Sequence, residues 1–309
     1  IELEPRLFRR TVVDVHFGFC RANARTERES GSRVSQFLVA GYPLDQAFSS
    51  ARRLGQELRA RLRRRGVRFV VCYLDENEGH HRKAMGGRER IRQDYRFLCS
   101  KLEADPELGL LLKPKRPSTL AARLGPVWAD VERLIHLGRC IALQWEILDD
   151  AFLPCAAAAG ADVAINLLYG ATAGLESWLA GTPTLLLAAH GADPGLFARL
   201  PAGSVLFDSW PRLWDAVEHL RSHPKDRSVG NWGSVMEDLV ELRDGQASER
   251  IGRYVAWLRE ELLAGHPAPT ALRRAAARYE ETWGRGLLLT LDDEGSGETW
   301  TKPTLVESQ

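Results

Sequence analysis

The chain has 309 residues, of which 44% are hydrophobic and 27% charged, a composition typical of a globular protein with one large domain or two smaller ones. Its formal net charge of +1 argues against nucleic-acid binding, which a strongly basic surface would favour. No stretch of about 18 apolar residues predicts a membrane span, and no signal peptide is visible. Five cysteines without a C-x-x-C pair predict reduced thiols in a cytoplasmic protein.

The first third of the chain begins irregularly and then becomes periodic. An apolar run over 11–19 predicts a short strand, and the polar residues 21–33 predict a loop. Residues 34–40 then predict a strand that ends at Gly41. An amphipathic helix begins near Asp45, and the continuous apolar run 67–74 predicts a strand buried on both faces, as in a parallel sheet. This order predicts one β-α-β unit.

Strands and helices continue to alternate to about residue 220. Further strands are predicted over 109–113, 140–145, 161–167, 184–188 and 205–206, and helices over 88–104, 118–137, 172–180 and 211–220. The alternation predicts an α/β fold with a doubly wound, mostly parallel, Rossmann-like sheet. After Gly230 we expect no further strand, only a helix over 247–263 and a second helix capped by Thr270.

The most informative segment is 161–187, ADVAINLLYGATAGLESWLAGTPTLLL. A strand leads through the small-residue run 170–174 directly into a helix. Small residues let a ligand approach the backbone closely, and a helix start offers unpaired N–H groups, so the corner suits a pyrophosphate. Glu176, one turn into the helix, could accept hydrogen bonds from a ribose diol. The alternative is an ordinary strand–turn–helix corner with Glu176 facing solvent.

The same run permits a third interpretation. Gly170, Thr172 and Gly174 have the spacing of a nucleophile elbow with threonine as the nucleophile, and Asp193 with His219 or His223 would follow in hydrolase order. Threonine is rare in that position because its methyl group crowds a strained turn.

Three other segments follow predicted strands, where open α/β sheets bind ligands. Lys113 and Lys115 could face phosphate, or lie in a solvated basic turn. Gly41 allows a tight turn beside the ligand crevice, or it serves an ordinary turn that has no part in binding. The acid- and histidine-rich residues 75–81 could form a polar active-site loop, an uninvolved loop or a metal site. A metal site is disfavoured because adjacent His80 and His81 cannot easily face one ion.

Together these segments resemble the C-terminal, donor-binding domain of GT-B glycosyltransferases, with similarity to bacterial surface-polysaccharide transferases. The resemblance covers roughly residues 36–284 and is carried first by 161–187. Further shared segments are GYPLD (41–45), LDEN (74–77), LLKPKRPSTL (111–120), DGQASERIGRYVAWL (244–258) and RYEETWG (278–284).

The resemblance implies a nucleotide-sugar donor held by this chain. Gly170, Thr172, Ala173 and Gly174 would then meet the diphosphate and Glu176 the ribose. Gly41, Lys113 and Lys115 would complete the donor site. No cofactor and no metal ion are expected, because GT-B enzymes stabilise the leaving nucleotide with helix dipoles and cations instead.

The resemblance also implies a domain plan. Residues 1–33 are interpreted as a linker or the remnant of a missing N-terminal acceptor domain, 34–230 as the nucleotide-sugar-binding domain, 231–290 as a helical extension and 291–309 as a disordered tail. Catalytic residues stay unassigned because the acceptor domain usually supplies the base. Leu168 stands where retaining enzymes often carry a second glutamate, so inverting and retaining chemistry both stay open.

The expected function is sugar transfer to a glycan or lipid-linked acceptor of a cell-surface polysaccharide. The expected location is the cytoplasm, with peripheral contact at the inner face of the membrane left open. Two alternatives stay open: a sugar-nucleotide epimerase of the same fold, which the acids and histidines of 75–81 favour, and a non-catalytic nucleotide-binding subunit.

Overall fold

The computed structural model describes residues 11–76, 87–143, 154–168, 171–188, 197 and 199–291. The chain divides into two compact units. The first unit combines Ile1–Gln46 with Val235–Gln309, and the second, here called the sheet unit, is Ala47–Ser234. The predicted donor domain began at residue 34, whereas the observed division falls after residue 46.

The first unit contains a three-stranded sheet and four helices in its described part. Its strands are β1 (Val12–Gly18), β2 (Arg33–Val39) and β9 (Leu288–Leu289). Its helices are α1 (Arg21–Glu29), α9 (Met236–Leu239), α10 (Ala247–Leu263) and α11 (Ala268–Trp283). β1 and β2 are parallel, and β9 pairs antiparallel with β2.

Two tyrosines attach the long helices of the first unit to its central strand. The Tyr254 hydroxyl of α10 donates to Gln36, and the Tyr279 hydroxyl of α11 donates to the carbonyl oxygen of Val39 at 2.9 Å. Both rings are at most 1% exposed. Their hydroxyl groups are satisfied, as buried polar groups require, while the rings add apolar area to the core.

The sheet unit contains six parallel strands. They are β3 (Phe69–Leu74), β4 (Leu108–Lys113), β5 (Cys140–Ala142), β6 (Val163–Leu167), β7 (Thr184–Leu187) and β8 (Leu206–Phe207). Their order across the sheet is β5-β4-β3-β6-β7-β8, and every pair is parallel. The predicted doubly wound, Rossmann-like α/β architecture is confirmed.

Seven helices surround these strands in the described part of the sheet unit. They are α2 (Phe48–Arg63), α3 (Gly87–Ala104), α4 (Leu120–Leu124), α5 (Trp128–His136), α6 (Pro154–Ala159), α7 (Ala171–Leu179) and α8 (Trp210–Ser222). Short 3-10 turns cover Asp45–Ala47, Pro117–Thr119, Gly125–Val127 and Gly233–Val235. No helix in the described ranges is long and apolar enough to span a bilayer.

The central strands are apolar because both of their faces are covered. All six residues of β3 and all six of β4 are buried. The helices that cover them approach closely where their residues are small. A Cβ atom on Gly55 of α2 would lie 2.6 Å from backbone atoms at the end of α6, so this contact requires glycine.

Several local predictions were wrong. Residues 34–40 and 67–74 do not belong to one β-α-β unit, because β2 pairs with β1 and β9 rather than with β3. Most of the predicted loop 21–33 is helix α1. The short strand β9 follows residue 230, and α11 begins at Ala268 after Pro267 rather than at a Thr270 cap. The predicted tail 291–309 lies outside the described residues except for Leu291.

Candidate functional site

The strand order of the sheet unit creates a crevice at the carboxyl ends of β3 and β6. From β3, the chain builds outward through β4 and β5 on one side, and through β6, β7 and β8 on the other. The connections that leave β3 and β6 therefore diverge at this edge. Open α/β sheets bind ligands at such a switch point, so this edge is the candidate site.

The corner between β6 and α7 is open at the start of the helix. Thr172 is exposed and Ala173 is half-buried. The first amides of any α-helix lack partners within the helix, so those near Thr172 can meet a ligand. Gly170, predicted as part of this corner, lies outside the described residues.

Asn166 fixes the geometry of this corner. Its side-chain Nδ2 donates to the carbonyl oxygen of Leu74 at 3.0 Å, and its Oδ1 accepts from the amide of Gly174 at 3.2 Å. The side chain is fully buried and thus joins the end of β3 to the first turn of α7. Sequence reasoning missed this residue, although one polar side chain inside the apolar strand was the available signal.

Lys113 places a buried cation at the same edge. It ends β4 and is only 7% exposed. Burial lowers the pKa of its ammonium group, and this effect is opposed by Cys72, Glu176 and Asp75. Of these three, Glu176 and Asp75 are carboxyl groups. The predicted position of Lys113 beside the ligand crevice therefore agrees with the fold, and its neighbours bring negative charge to the site.

Asp75 and Arg123 form a buried ion pair next to Lys113. Arg123 Nη2 lies 2.6 Å from Asp75 Oδ2, and Nη1 lies 3.5 Å from Oδ1. Burial raises the pKa of Asp75 to about 6, although the hydrogen bond from Arg123 and its charge act in the opposite direction. Asp75 is therefore a carboxyl group that can change its charge close to neutral pH. Arg123 was not identified from the sequence.

Lys115 and Glu76 form a second ion pair at the edge, with Nζ 2.8 Å from Oε2. The Lys115 side chain is 53% exposed, whereas the Glu76 side chain is 8% exposed. Lys115 can therefore turn toward a ligand without losing much packing. Residues 77–86, including His80 and His81, lie outside the described residues. Within the described ranges, no group of three or more His, Cys, Asp or Glu is arranged to hold a metal ion.

Glu176 lies on α7 but is oriented into the protein. It is 3% exposed, and its Oε1 accepts from the amide of Cys155 at 2.9 Å. Cys155 belongs to the first turn of α6, where a carboxylate favourably meets the positive end of the helix dipole. The structure thus gives Glu176 a packing role, and its predicted contact with a ribose stays a prediction.

Gly41 belongs to a different unit from the other predicted donor-binding residues, which all lie in the sheet unit. It belongs to the first unit, where its φ is +91° and a Cβ atom would lie 2.8 Å from the carbonyl oxygen of Leu242. Both features require glycine for packing reasons alone. Its predicted contact with the ligand is untested.

The nucleophile-elbow interpretation is wrong. His219 lies near the end of α8, and its Nε2 is 2.7 Å from Asp226 Oδ2. α8 starts at the carboxyl edge after β8 and runs back across the sheet, so its last turn lies at the amino edge. Thr172 lies at the opposite, carboxyl edge. A serine-hydrolase-like triad cannot form across the sheet because its members must be within hydrogen-bond reach.

These features define the sheet unit as a Rossmann-like domain with charged and polar side chains gathered at its switch point. No protein-family model matches the chain, and no curated protein matches it either. Solved structures of similar fold include a putative UDP-N-acetylglucosamine 2-epimerase from Listeria monocytogenes, at 14% identity and a TM-score of 0.44 over 83% of this chain.

The Anabaena protein HepE is also similar in two complexes. The complex with UDP and glucose has 15% identity and a TM-score of 0.44 over 79% of this chain. The complex with UDP-glucose has 15% identity and a TM-score of 0.38 over 87% of this chain. The chain spans 62% to 64% of the length of these structures.

Proposed function

We propose that the sheet unit binds a nucleotide sugar at the switch point between β3 and β6, and that the protein transfers the sugar to a glycan or lipid-linked acceptor. The proposal depends mainly on the start of α7, which is exposed at Thr172 and lies at the edge where doubly wound sheets bind nucleotides. The resemblance of several segments to GT-B transferases suggests the reaction class, which is glycosyl transfer.

The proposed chemistry is electrostatic stabilisation of a leaving nucleoside diphosphate. Negative charge grows on the diphosphate as the bond to the sugar breaks, and fixed positive groups lower the energy of that state. The amides at the start of α7 that precede Gly174, whose own amide binds Asn166, and the ammonium group of Lys113 would supply such groups. Lys115 would exchange its bond with Glu76 for the diphosphate. This mechanism requires neither a metal ion nor a cofactor.

The Lys113 assignment can be tested by calorimetric titration with UDP, GDP, CMP and uridine. Lys113→Met removes the charge while keeping most of the volume. We expect it to weaken UDP binding by about 1–3 kcal/mol, the range for a hydrogen bond to a charged group, and to leave uridine binding nearly unchanged. Lys225→Met is the control because Lys225 is exposed at the amino edge. Equal losses for UDP and uridine would contradict a phosphate role.

The Glu176 assignment needs a test that separates ribose binding from packing. Glu176→Gln keeps the size of the side chain and an acceptor for the Cys155 amide. If Glu176 binds the ribose diol, the wild type should prefer UDP to 2′-deoxy-UDP, and the variant should lose most of that preference. An unchanged preference with a lower melting temperature would assign Glu176 to packing only.

A sugar-nucleotide epimerase is the second candidate, favoured by Asp75. A carboxyl group with a pKa of about 6 is suited to moving protons near neutral pH. The two activities differ in what they release. A transferase releases nucleotide only when an acceptor is present, whereas an epimerase changes the configuration of the sugar without an acceptor. Nucleotide binding without either change would instead support a non-catalytic subunit.

A further inference from the structure

A second polar cleft lies at the amino edge of the sheet unit, opposite the switch point. It has a volume of about 720 Å³ and is lined by residues that precede or begin three strands: Phe69, Asp162 and Pro183. This volume is in the range of small-molecule binding sites. None of the residues assigned above to the nucleotide sugar lines it, so it is independent of the proposed function.

Most charges of this cleft are already paired. Asp162 binds Arg59 at 2.6 Å, and Asp226 binds His219. Arg221 forms ion pairs with Asp105 and with Glu107. Arg68, at the rim, also pairs with Glu107, at 3.1 Å. These pairs offset one another, so they leave little net charge for a ligand.

Three donors in the cleft are not used. Arg52, Gln56 and Arg227 line it, and no hydrogen bond or ion pair joins their side chains to another described residue. Arg52 and Gln56 are four positions apart on α2 and therefore lie on the same face of the helix. Two unpaired guanidinium groups and an amide give the cleft a net positive, donor-rich wall.

The described helix ends at this edge, those of α6 and α7, do not accept hydrogen bonds from Arg52 or Arg227. The carboxyl ends of α6 and α7 bring partial negative charge to the cleft, and the two guanidinium groups offset it. However, within the described residues, neither Arg52 nor Arg227 donates to a terminal carbonyl oxygen. Their planar N–H groups therefore remain available to an incoming acceptor, and guanidinium groups match phosphate and carboxylate oxygens in pairs.

We propose that this amino-edge cleft binds a small, multiply charged oxyanion, held by Arg52 and Arg227 with Gln56 as a neutral donor. The shared chemistry is that of a phosphorylated or polycarboxylate metabolite. Among the described residues that line the cleft, Phe69 is the aromatic one and it is buried, so the proposed recognition uses charge and hydrogen bonds rather than stacking on a ring.

The test uses the whole chain and two ligands, inorganic pyrophosphate and citrate, titrated by calorimetry in 0.15 M salt, where the screening length is about 8 Å. The variant R52A/R227A removes the two unpaired cations. The matched control R53A/K225A removes two exposed cations that lie one and two positions from Arg52 and Arg227 in the sequence but do not line the cleft. We expect at least about tenfold weaker binding in the first variant, the size of effect typical of lost charged hydrogen bonds, and less than twofold in the control.

Pyrophosphate is expected to bind the proposed diphosphate site at Lys113 as well, so the Lys113→Met comparison uses citrate. Three results would overturn the proposal: no binding of either anion by the wild type, equal losses in the two double variants, or loss of citrate binding in Lys113→Met. The last result would place the anion at the carboxyl edge. The proposal is supported if either anion binds the wild type, binds R52A/R227A much more weakly, and binds the control variant almost as well as the wild type. The tighter of the two anions then distinguishes a phosphorylated ligand from a carboxylated one.

Discussion

At the scale of single residues, Asn166 holds the candidate site in shape. Its amide joins two backbone groups that would otherwise be buried without partners, the carbonyl of Leu74 and the amide of Gly174. Because one side chain satisfies both groups, the end of β3 and the start of α7 cannot move independently. The residue is therefore a positioning residue for any ligand at the switch point.

Asn166→Ala should lower the free energy of unfolding by roughly 2–4 kcal/mol, since it leaves one donor and one acceptor buried without partners. Asn166→Asp is the comparison, because aspartate can still accept from Gly174 but cannot donate to Leu74. Urea denaturation measures both. A stability equal to wild type in Asn166→Ala would show that the two hydrogen bonds do not fix the corner.

Asp75 makes stability depend on pH. Its pKa is raised from 3.8 to about 6 in the folded protein, so the unfolded chain loses this proton first as pH increases. A raised carboxyl pKa means that the stabilising contribution is complete below about pH 4 and is lost as the pH rises through about 6. The buried ion pair with Arg123 opposes this loss without cancelling it.

We therefore expect wild type to lose unfolding free energy relative to Asp75→Asn as the pH rises from about 4 to about 6. Above that pH the difference between the two proteins should stay constant. Chemical denaturation at a series of pH values measures it. A difference that moves in favour of wild type over this interval would mean that Arg123 outweighs burial and that the pKa of Asp75 is lowered.

The residues of the site differ in how well the sequence predicts them. Lys113 and Lys115 were found because they lie at and just beyond the end of an apolar run, and a strand end in a parallel sheet defines a position at the ligand edge. Arg123 could not be found, since its partner Asp75 is 48 positions away and only the fold brings them together. Glu176 was placed on the correct helix, but whether its side chain turns inward depends on α6, which was not predicted.

At the scale of elements, the contact between α2 and α6 depends on glycine. Alanine usually favours a helix over glycine by about 1 kcal/mol. At Gly55 the added Cβ would lie 2.6 Å from the backbone of Ala159 and Gly160, a distance that backbone atoms cannot easily relieve. The clash should therefore outweigh the gain in helix propensity.

We expect Gly55→Ala to lower the unfolding midpoint in urea. The matched control is Gly252→Ala in α10, where a Cβ atom meets nothing within 4 Å, so that this variant should be as stable as wild type or more stable by up to about 1 kcal/mol. If both substitutions raise stability equally, α2 and α6 are not as close as the structure shows.

Elements were predicted well where their own residues define them and poorly where distant residues do. β3 and β4 are continuous apolar runs, so the sequence alone predicts that both strands are buried. Helix α1 was missed because Ala24 is its one buried residue, which leaves no apolar stripe. The pairing of β2 was misassigned because the crossover helix α1, which joins it to its parallel partner β1, was missed. Its other partner, β9, has only two residues and follows about 250 positions later.

At the scale of the whole molecule, the reactivity of the cysteine thiols can show when each of the two units unfolds. All five cysteines carry reduced, buried thiols outside any disulfide, and burial raises the pKa of Cys99 to about 12. Thiolates react and thiols do not, so native protein at pH 8 should react slowly with a thiol reagent. Cys20 belongs to the first unit and the other four to the sheet unit.

We expect the four thiols of the sheet unit to become reactive together at one urea concentration, because they belong to one compact unit and single domains usually unfold cooperatively. Mass spectrometry of labelled peptides follows each site, and fully unfolded protein at the same pH gives the reference rate. Rapid labelling of any of these four without urea would contradict the burial described here. Cys20 reports independently whether the first unit opens at the same concentration.

The first unit is discontinuous, since its two segments are separated by the whole sheet unit. On a ribosome, β2 emerges more than two hundred residues before α10, α11 and β9, the elements that complete its core. The sheet unit can bury its own strands during that interval. The apolar surface of β1 and β2 stays exposed until the later helices and β9 are synthesised. A nascent chain stalled after residue 234 should therefore carry a folded sheet unit together with an unfinished N-terminal segment that chaperones recognise.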